Sequence, residues 1–284
     1  MRLARIIFLS LSVLVLASAS FEQTPKDNWA NYGDVKLHYY DMGNSKAKSA
    51  LVFVHCWTCN VEFWKESYNA LPQYRVIALD LPGHGESDKP KVDYSMQYFA
   101  NAVEAVLKKA GVQKAVLVGH SMGTPVVRRY YELYPEKTLG IVVVDGALIP
   151  LGQRDQMEKF FEPLYKDYKP AAESMIDGML QPAKPEVRPF IKSNMLATPD
   201  YVGASAAKFM LDDGFATHGK INVPVLAVMA PSPYWPPDLK EKYQAIAPSL
   251  EFHMFTGVSH FLMLEKPKEF NEAIAAFIVK NKLL

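Results

Sequence analysis

Residues 114–134 read KAVLVGHSMGTPVVRRYYELY. An apolar run, AVLVG, ends in the pattern G-x-S-x-G at Gly119, Ser121 and Gly123, and an amphipathic stretch begins directly behind it. The run has the continuous Val/Leu character of a parallel strand covered on both faces, and the stretch after it has helical periodicity. Ser121 therefore falls at a sharp strand-to-helix turn. Such a turn holds the serine in a strained backbone conformation, and the flanking glycines let neighbouring chain pass closely. The hydroxyl then projects at a helix N-terminus, where unpaired N–H groups and the dipole favour negative charge. Pro125 suits this position, because first-turn amides lack helical partners in any case. Ser121 is thus a candidate nucleophile.

Strand and helix patterns alternate on both sides of this stretch. β-rich runs are VKLHYYD (35–41), ALVFVHC (50–56), YRVIALDL (74–81), GIVVVDG (140–146), PVLAVMA (224–230) and LEFHMFTG (250–257). Helical patterns include SMQYFANAVEAVLKKAG (95–111), with Ser95 as N-cap and Gly111 as stop, and PKEFNEAIAAFIVKNKL (267–283). The alternation predicts an α/β protein with a mainly parallel, doubly wound sheet. Residues 150–217 break the rhythm: they hold no convincing strand and are rich in Met, Pro and aromatic residues such as Met157, Phe160, Phe161 and Tyr165. A helical insertion is expected there, with a core domain in two parts, 26–149 and 218–284, around it. Its apolar residues serve either as its own core or as the roof of a substrate pocket.

The N-terminus bears on the compartment. MRLAR carries two positive charges, IIFLSLSVLVL is an apolar stretch of 11 residues, and small residues follow up to Ala19. Residues 1–19 read as a secretory signal peptide, which predicts a secreted or periplasmic protein. No second apolar run is long enough to span a membrane, so the mature chain is expected to carry no stable span. With 31 basic against 30 acidic residues there is no charge excess to attract nucleic acid. The 49% hydrophobic content supports a large core without disulfide staples. No H-E-x-x-H, G-x-G-x-x-G or phosphate-loop pattern occurs, so neither metal nor cofactor is implied.

Both cysteines lie in VHCWTCN (54–60), Cys56 and Cys59 in C-x-x-C spacing between a strand run and a helical stretch. Thioredoxin-like redox chemistry uses that spacing in that context. The serine turn and the C-terminal histidine described next argue against a thioredoxin-like fold. The remaining histidines offer little: His84 sits in a turn-rich loop at the expected pocket rim, His120 lies inside the serine motif, and His38, His218 and His253 show no partner spacing.

With VFVHCW, DLPGHGESD, GHSMG and GVSHFLMLEKP in this order, the chain resembles the α/β-hydrolase superfamily over nearly all its expected mature length. The resemblance implies Ser121 as nucleophile and His260, in a loop after the last strand, as its base. For the acid it leaves two positions. Most relatives place an Asp after the strand matching PVLAVMA, but that loop reads PSPYWPPD, and Asp238 comes late, at the expected start of a helix. Asp145, ending the run before the insertion, is preferred, since some superfamily members carry the acid there. The resemblance also implies an oxyanion hole from the backbone N–H groups of Trp57 and Met122. Cys56 replaces the usual glycine of that loop, His55 is expected to order it, and a structural Cys56–Cys59 disulfide is compatible with export.

Dehalogenases and epoxide hydrolases of this superfamily use an Asp nucleophile, so Ser121 points away from both. The expected activity is hydrolysis of a carboxylic ester or lactone, through an acyl-enzyme, on a small to medium apolar acyl substrate. An iminopeptidase-like peptidase ranks lower, because the insertion offers no clear acidic cluster for a free amino terminus. The same scaffold also supports C–C bond hydrolysis and cofactor-free haloperoxidase chemistry, and a non-catalytic binding protein is a third class of function.

Overall fold

Eight strands form one sheet in the order β1-β2-β4-β3-β5-β6-β7-β8. They are β1 Asp27–Tyr32, β2 Val35–Met42, β3 Ser49–Val54, β4 Val76–Leu79, β5 Lys114–His120, β6 Thr138–Val144, β7 Val225–Met229 and β8 Leu250–Met254. The β1/β2 and β2/β4 pairs are antiparallel; every pair from β4/β3 onward is parallel. The computed structural model describes residues 25–150, 153–210 and 219–284. The expected signal segment, 1–19, lies outside the described residues, as do parts of both ends of the expected insertion.

The central strands are buried for the reason their sequences suggest. Residues 50–54, 115–118 and 141–144 are completely shielded from solvent, and β7 is equally covered. Each such Val or Leu contributes about 1.5–3 kcal/mol relative to an exposed one. Flanking the sheet are α1 Lys65–Tyr68, α2 Met96–Ala110, α3 Gly123–Leu133, α4 Arg154–Lys166, α5 Tyr168–Met179, α6 Arg188–Leu196, α7 Asp200–Phe209, α8 Leu239–Ile246, α9 Leu262–Glu265 and α10 Pro267–Asn281. Helix α2 starts and stops as its sequence predicts. Ser95 Oγ accepts from Tyr98 N at 3.1 Å, and Gly111 adopts the left-handed φ of 71° that ends the helix.

One strand is not legible in the sequence. β1, DNWANY, is polar and lacks alternation; it exists because its backbone pairs with β2 at the edge of the sheet. Its Asp27 and the buried His38 of β2 are ion-pair partners, Asp27 Oδ1 lying 3.0 Å from His38 Nε2.

Strand order positions the site. The chain steps from β3 to β4 on one side, then crosses over β3 to form β5 on the other. The crevice beyond the C-terminal ends of β3 and β5 is such a switch point, where loops diverge and open α/β sheets bind ligands. The loops carrying Trp57 and Ser121 leave from those two strand ends. Helices α4–α7 arise from the neighbouring strand, β6, and reach the same edge. Asn60 Nδ2 donates to Asn194 Oδ1 (2.9 Å), Thr198 Oγ1 to the Thr58 carbonyl (3.0 Å) and Trp57 Nε1 to the Gly203 carbonyl (2.8 Å).

Candidate active site

Among the described residues, four non-glycine residues have positive φ: Thr58 (56°), Ser121 (52°), Asp145 (40°) and Lys282 (53°). Lys282 merely caps the last helix. The other three follow β3, β5 and β6, three adjacent strands, at one edge of the sheet. Left-handed backbone at non-glycine residues is costly and persists where surrounding structure over-determines it, typically at functional sites.

Ser121 is fixed at both ends of its turn. Its N–H donates to the Val144 carbonyl at 3.0 Å and its own carbonyl accepts from Thr124 N at 2.9 Å. The two motif glycines are required by close approach. A Cβ on Gly119 would collide with the Gly123 carbonyl, and one on Gly123 with the Val54 carbonyl. The second contact presses the start of α3 against the end of β3. It brings Met122 beside the loop that carries Trp57.

His260 and Asp145 meet although they are far apart in sequence. His260 Nδ1 lies 2.6 Å from Asp145 Oδ2, and the Asp145 side chain is 4% exposed. A carboxylate can only accept here, so Nδ1 carries the proton and Nε2 presents its lone pair. Asp145 Oδ1 accepts from Ala230 N (2.9 Å) and from Trp235 Nε1 (3.3 Å). The second candidate acid is elsewhere: Asp238 is exposed, pairs with Lys242 at 2.9 Å, and makes no side-chain cap at the start of α8. That ion pair holds its carboxyl below the usual carboxylate range.

His260 rests on His120, whose ring lies 4.7 Å away and whose Nε2 donates to the His260 carbonyl at 2.8 Å. The loop of His260 is pinned from the other side by buried Glu265, which accepts from Ser259 N (2.8 Å) and Ser259 Oγ (2.5 Å). The side chain of His260 bonds, among the described residues, to Asp145 alone; no hydrogen bond joins it to Ser121 Oγ. Such contacts are often long before substrate binds.

Trp57 and Met122 are both buried. Neither backbone N–H donates to another described residue, an unusual state for buried amides. Because Val54 and Gly119 are register partners, both amides emerge at adjacent strand ends. The loop of Trp57 is held from several directions. His55 Nδ1 donates to the Cys56 carbonyl (2.8 Å) and His55 Nε2 accepts from Leu81 N (3.0 Å), so both ring nitrogens are occupied. Asp80 anchors Val61 N (2.7 Å), Glu86 N (3.0 Å) and His38 Nδ1 (2.8 Å).

Cys56 and Cys59 form a disulfide that brackets Trp57 and Thr58, and both are buried. Since the loop has these further anchors, a Cys56→Gly/Cys59→Ser double variant is expected to retain the hydrolytic activity of the native protein. The four-residue loop closed by the bond adds less than the roughly 3 kcal/mol of a fifteen-residue loop, so the loss of stability is modest. Ester turnover of the variant is the check, with insulin reduction by dithiothreitol measured on the native protein. Native disulfide-reductase activity that disappears in the variant would revive the redox reading.

Two of the remaining histidines have environments that the sequence does not mark. His84 is fully buried, donates from Nδ1 to the Pro82 carbonyl (3.0 Å) and lies 4.9 Å from the His55 ring. His38 does have partners, Asp80 and Asp27, brought to it by the sheet. These environments act in opposite directions. Burial lowers the pKa of His55 and, well below the ordinary value, those of His84 and His120. Burial also opposes protonation of His38, but the hydrogen bonds and charges of Asp80 and Asp27 prevail and raise it.

Below about pH 6.5 the unfolded chain protonates the first three histidines while the folded one resists, so their effect is to lose stability as pH falls. His38 contributes stability below that pH and loses it as pH rises through its folded value. The three buried imidazoles thus favour the folded state at neutral pH, whereas His38 favours it at acid pH.

A mostly parallel eight-stranded sheet, a serine at a left-handed strand-to-helix turn and an Asp–His pair joining the loops after β6 and β8 define a class. The family model described as alpha/beta hydrolase fold matches residues 49–185, and the chain has the α/β-hydrolase fold. Among individual proteins, it is 26% identical over 267 residues to a 2-hydroxy-6-oxononadienedioate/2-hydroxy-6-oxononatrienedioate hydrolase of Paraburkholderia phymatum (86% of this chain, 91% of that one). It is similar in structure to Est816, described as an N-acyl homoserine lactone degrading enzyme, with TM-score 0.75, 25% identity, and coverage of 88% of this chain and 100% of that protein. A thermophilic esterase aligns with TM-score 0.72, 28% identity, and coverage of 91% and 99%.

Trp235, Ala230, Glu265 and Asp80 support the site without being marked in the sequence. Apart from Ser259 Oγ, which bonds Glu265 from six positions away, their partners lie far along the chain or are backbone groups, and no spacing rule marks them.

Proposed function

We propose that this protein is an exported serine hydrolase that cleaves a carboxylic ester or lactone through an acyl-enzyme on Ser121. The observation that carries the reading is the 2.6 Å contact between His260 Nδ1 and Asp145 Oδ2, formed one strand away from a serine in a strained turn. Ser121 Oγ attacks the substrate carbonyl while its proton passes to His260 Nε2. The carbonyl oxygen becomes an oxyanion that accepts from the amides of Trp57 and Met122. Asp145 stabilises the imidazolium without taking its proton. The imidazolium then protonates the departing alkoxide as the C–O bond breaks, leaving the acyl group on Ser121. Water, deprotonated by the same imidazole, repeats the sequence and releases the acid. In a lactone the alcohol stays tethered, and the product is a hydroxy acid.

Helices α4–α7 act as a lid over this edge, meeting the oxyanion loop at Trp57 and Tyr168, whose ring centroids are 6.2 Å apart. An apolar acyl group suits such surroundings. Export rests on the signal-like residues 1–19. The esterase and the lactone-degrading enzyme among the similar structures favour ester and lactone substrates over amides. A panel of p-nitrophenyl esters, lactones and proline amides tests the reading. Turnover of esters or lactones is expected, and turnover confined to proline amides would make the protein a peptidase instead.

A further inference from the structure

The loop after β7 carries Trp235, whose side chain turns back towards Asp145 at the end of the neighbouring strand β6. Trp235 Nε1 lies 3.3 Å from Asp145 Oδ1 and 3.1 Å from the Ala230 carbonyl. One N–H therefore serves two acceptors. Ala230 N donates to the same carboxylate oxygen at 2.9 Å, so Oδ1 is gripped from two directions and Oδ2 is left facing His260. The loop is set up for this. Trp235 N donates to the Ser232 carbonyl (3.2 Å) and Tyr234 N to Ser232 Oγ (3.2 Å), closing a turn, and Pro236 and Pro237 then restrict the backbone.

We infer that Trp235 is a positioning residue for the triad: its indole N–H locks the rotation of the Asp145 carboxylate so that Oδ2 stays on His260. The inference rests on the proposed role of Asp145 as the acid. A buried carboxylate attached through two rotatable bonds, on a residue already strained at φ 40°, does not hold one orientation by itself. With Oδ1 held by two donors, rotation about the terminal bond would break both contacts. With only Ala230 N remaining, the carboxylate can pivot and draw Oδ2 away from the imidazole. This division of labour accounts for the tryptophan's place in the fold. When the acid sits on β6, the tip of β7 is the nearest element able to orient it, and an indole is long enough to reach across.

The test is a double-mutant cycle read by steady-state kinetics on a p-nitrophenyl ester. Trp235→Phe keeps an aromatic ring but removes the donor. It is expected to lower kcat about tenfold, as suits a shared hydrogen bond to a charged group, with KM within about twofold. In an Asp145→Asn background the same change should cost less than about twofold, because the carboxylate it orients is gone. Incorporating 3-benzothienylalanine at position 235 replaces the indole N–H with sulfur at nearly unchanged shape; it should reproduce the loss in kcat without a change in melting temperature. An unchanged kcat in both single variants would overturn the role, as would an equal loss in both backgrounds, which marks a purely structural tryptophan. The underlying reading fails separately: if Asp145→Asn alone left kcat near the native value, Asp145 would not be the acid and the role of Trp235 would fall with it. A severe Asp145→Asn effect with none from the Trp235 variants overturns the tryptophan's role alone.

Discussion

Ser121→Ala is expected to lower kcat on a p-nitrophenyl ester by about a million-fold, the scale seen when the nucleophile of a comparable triad is removed. The size follows from the chemistry: without Oγ there is no covalent route, and only substrate binding and the oxyanion donors still act. The fold should survive. The turn is held by the backbone, through Ser121 N to the Val144 carbonyl and the Ser121 carbonyl to Thr124 N, and alanine keeps both bonds. The left-handed φ of 52° is already borne by a residue with a Cβ, so the substitution adds little strain. Circular dichroism and the melting temperature check the fold, and kinetics check the loss. Retention of more than about a tenth of native activity would end the serine mechanism.

Asp145→Asn is expected to lower kcat by about ten thousand-fold, and the structure specifies why. An asparagine side chain has one accepting and one donating end. Ala230 N and Trp235 Nε1 both donate to the Oδ1 position, so the amide oxygen must lie there. The NH₂ group is then forced against His260 Nδ1. A donor facing Nδ1 selects the tautomer protonated on Nε2, which cannot accept the proton of Ser121. Asp238→Asn, altering only an exposed pair with Lys242, should change kcat by less than about twofold. The reverse pattern, with Asp238→Asn severe and Asp145→Asn mild, would move the acid to the later loop. Near-native rates in both would reduce the triad to a dyad.

What is legible in the sequence, and what is not, follows from the range of the forces involved. The parallel strands announce themselves because burial on both faces demands unbroken apolar runs, as in LVFV, AVLV, IVVV and VLAV. The serine turn is equally local: it needs small residues at fixed offsets, and Gly119 and Gly123 supply them. β1 escapes notice because it is stabilised by pairing with β2, a property of its partner more than of DNWANY.

The acid shows the boundary most clearly. Nothing within PSPYWPPD or IVVVDG says which aspartate reaches His260; that depends on β6 and β8 flanking β7 in one sheet, with residues 115 positions apart brought together. The same holds for His38, paired to Asp80 across 42 positions, and for Glu265, whose neighbour Ser259 is near in sequence but whose purpose emerges only once the His260 loop is folded. The cysteine pair is ambiguous for a different reason. C-x-x-C spacing is common to a redox centre and to a bracket around a loop, and only the fold around it separates them.

The central claim is that an acyl group passes through Ser121. Its most direct measurement is mass-spectrometric mapping of the protein quenched during turnover of p-nitrophenyl acetate, alongside labelling with a fluorophosphonate probe. A single acetylated or phosphonylated site on the peptide carrying Gly119 to Gly123, resolved to Ser121 and absent from Ser121→Ala, is the predicted result. Active enzyme that carries no adduct, or carries it on another residue, would contradict the account.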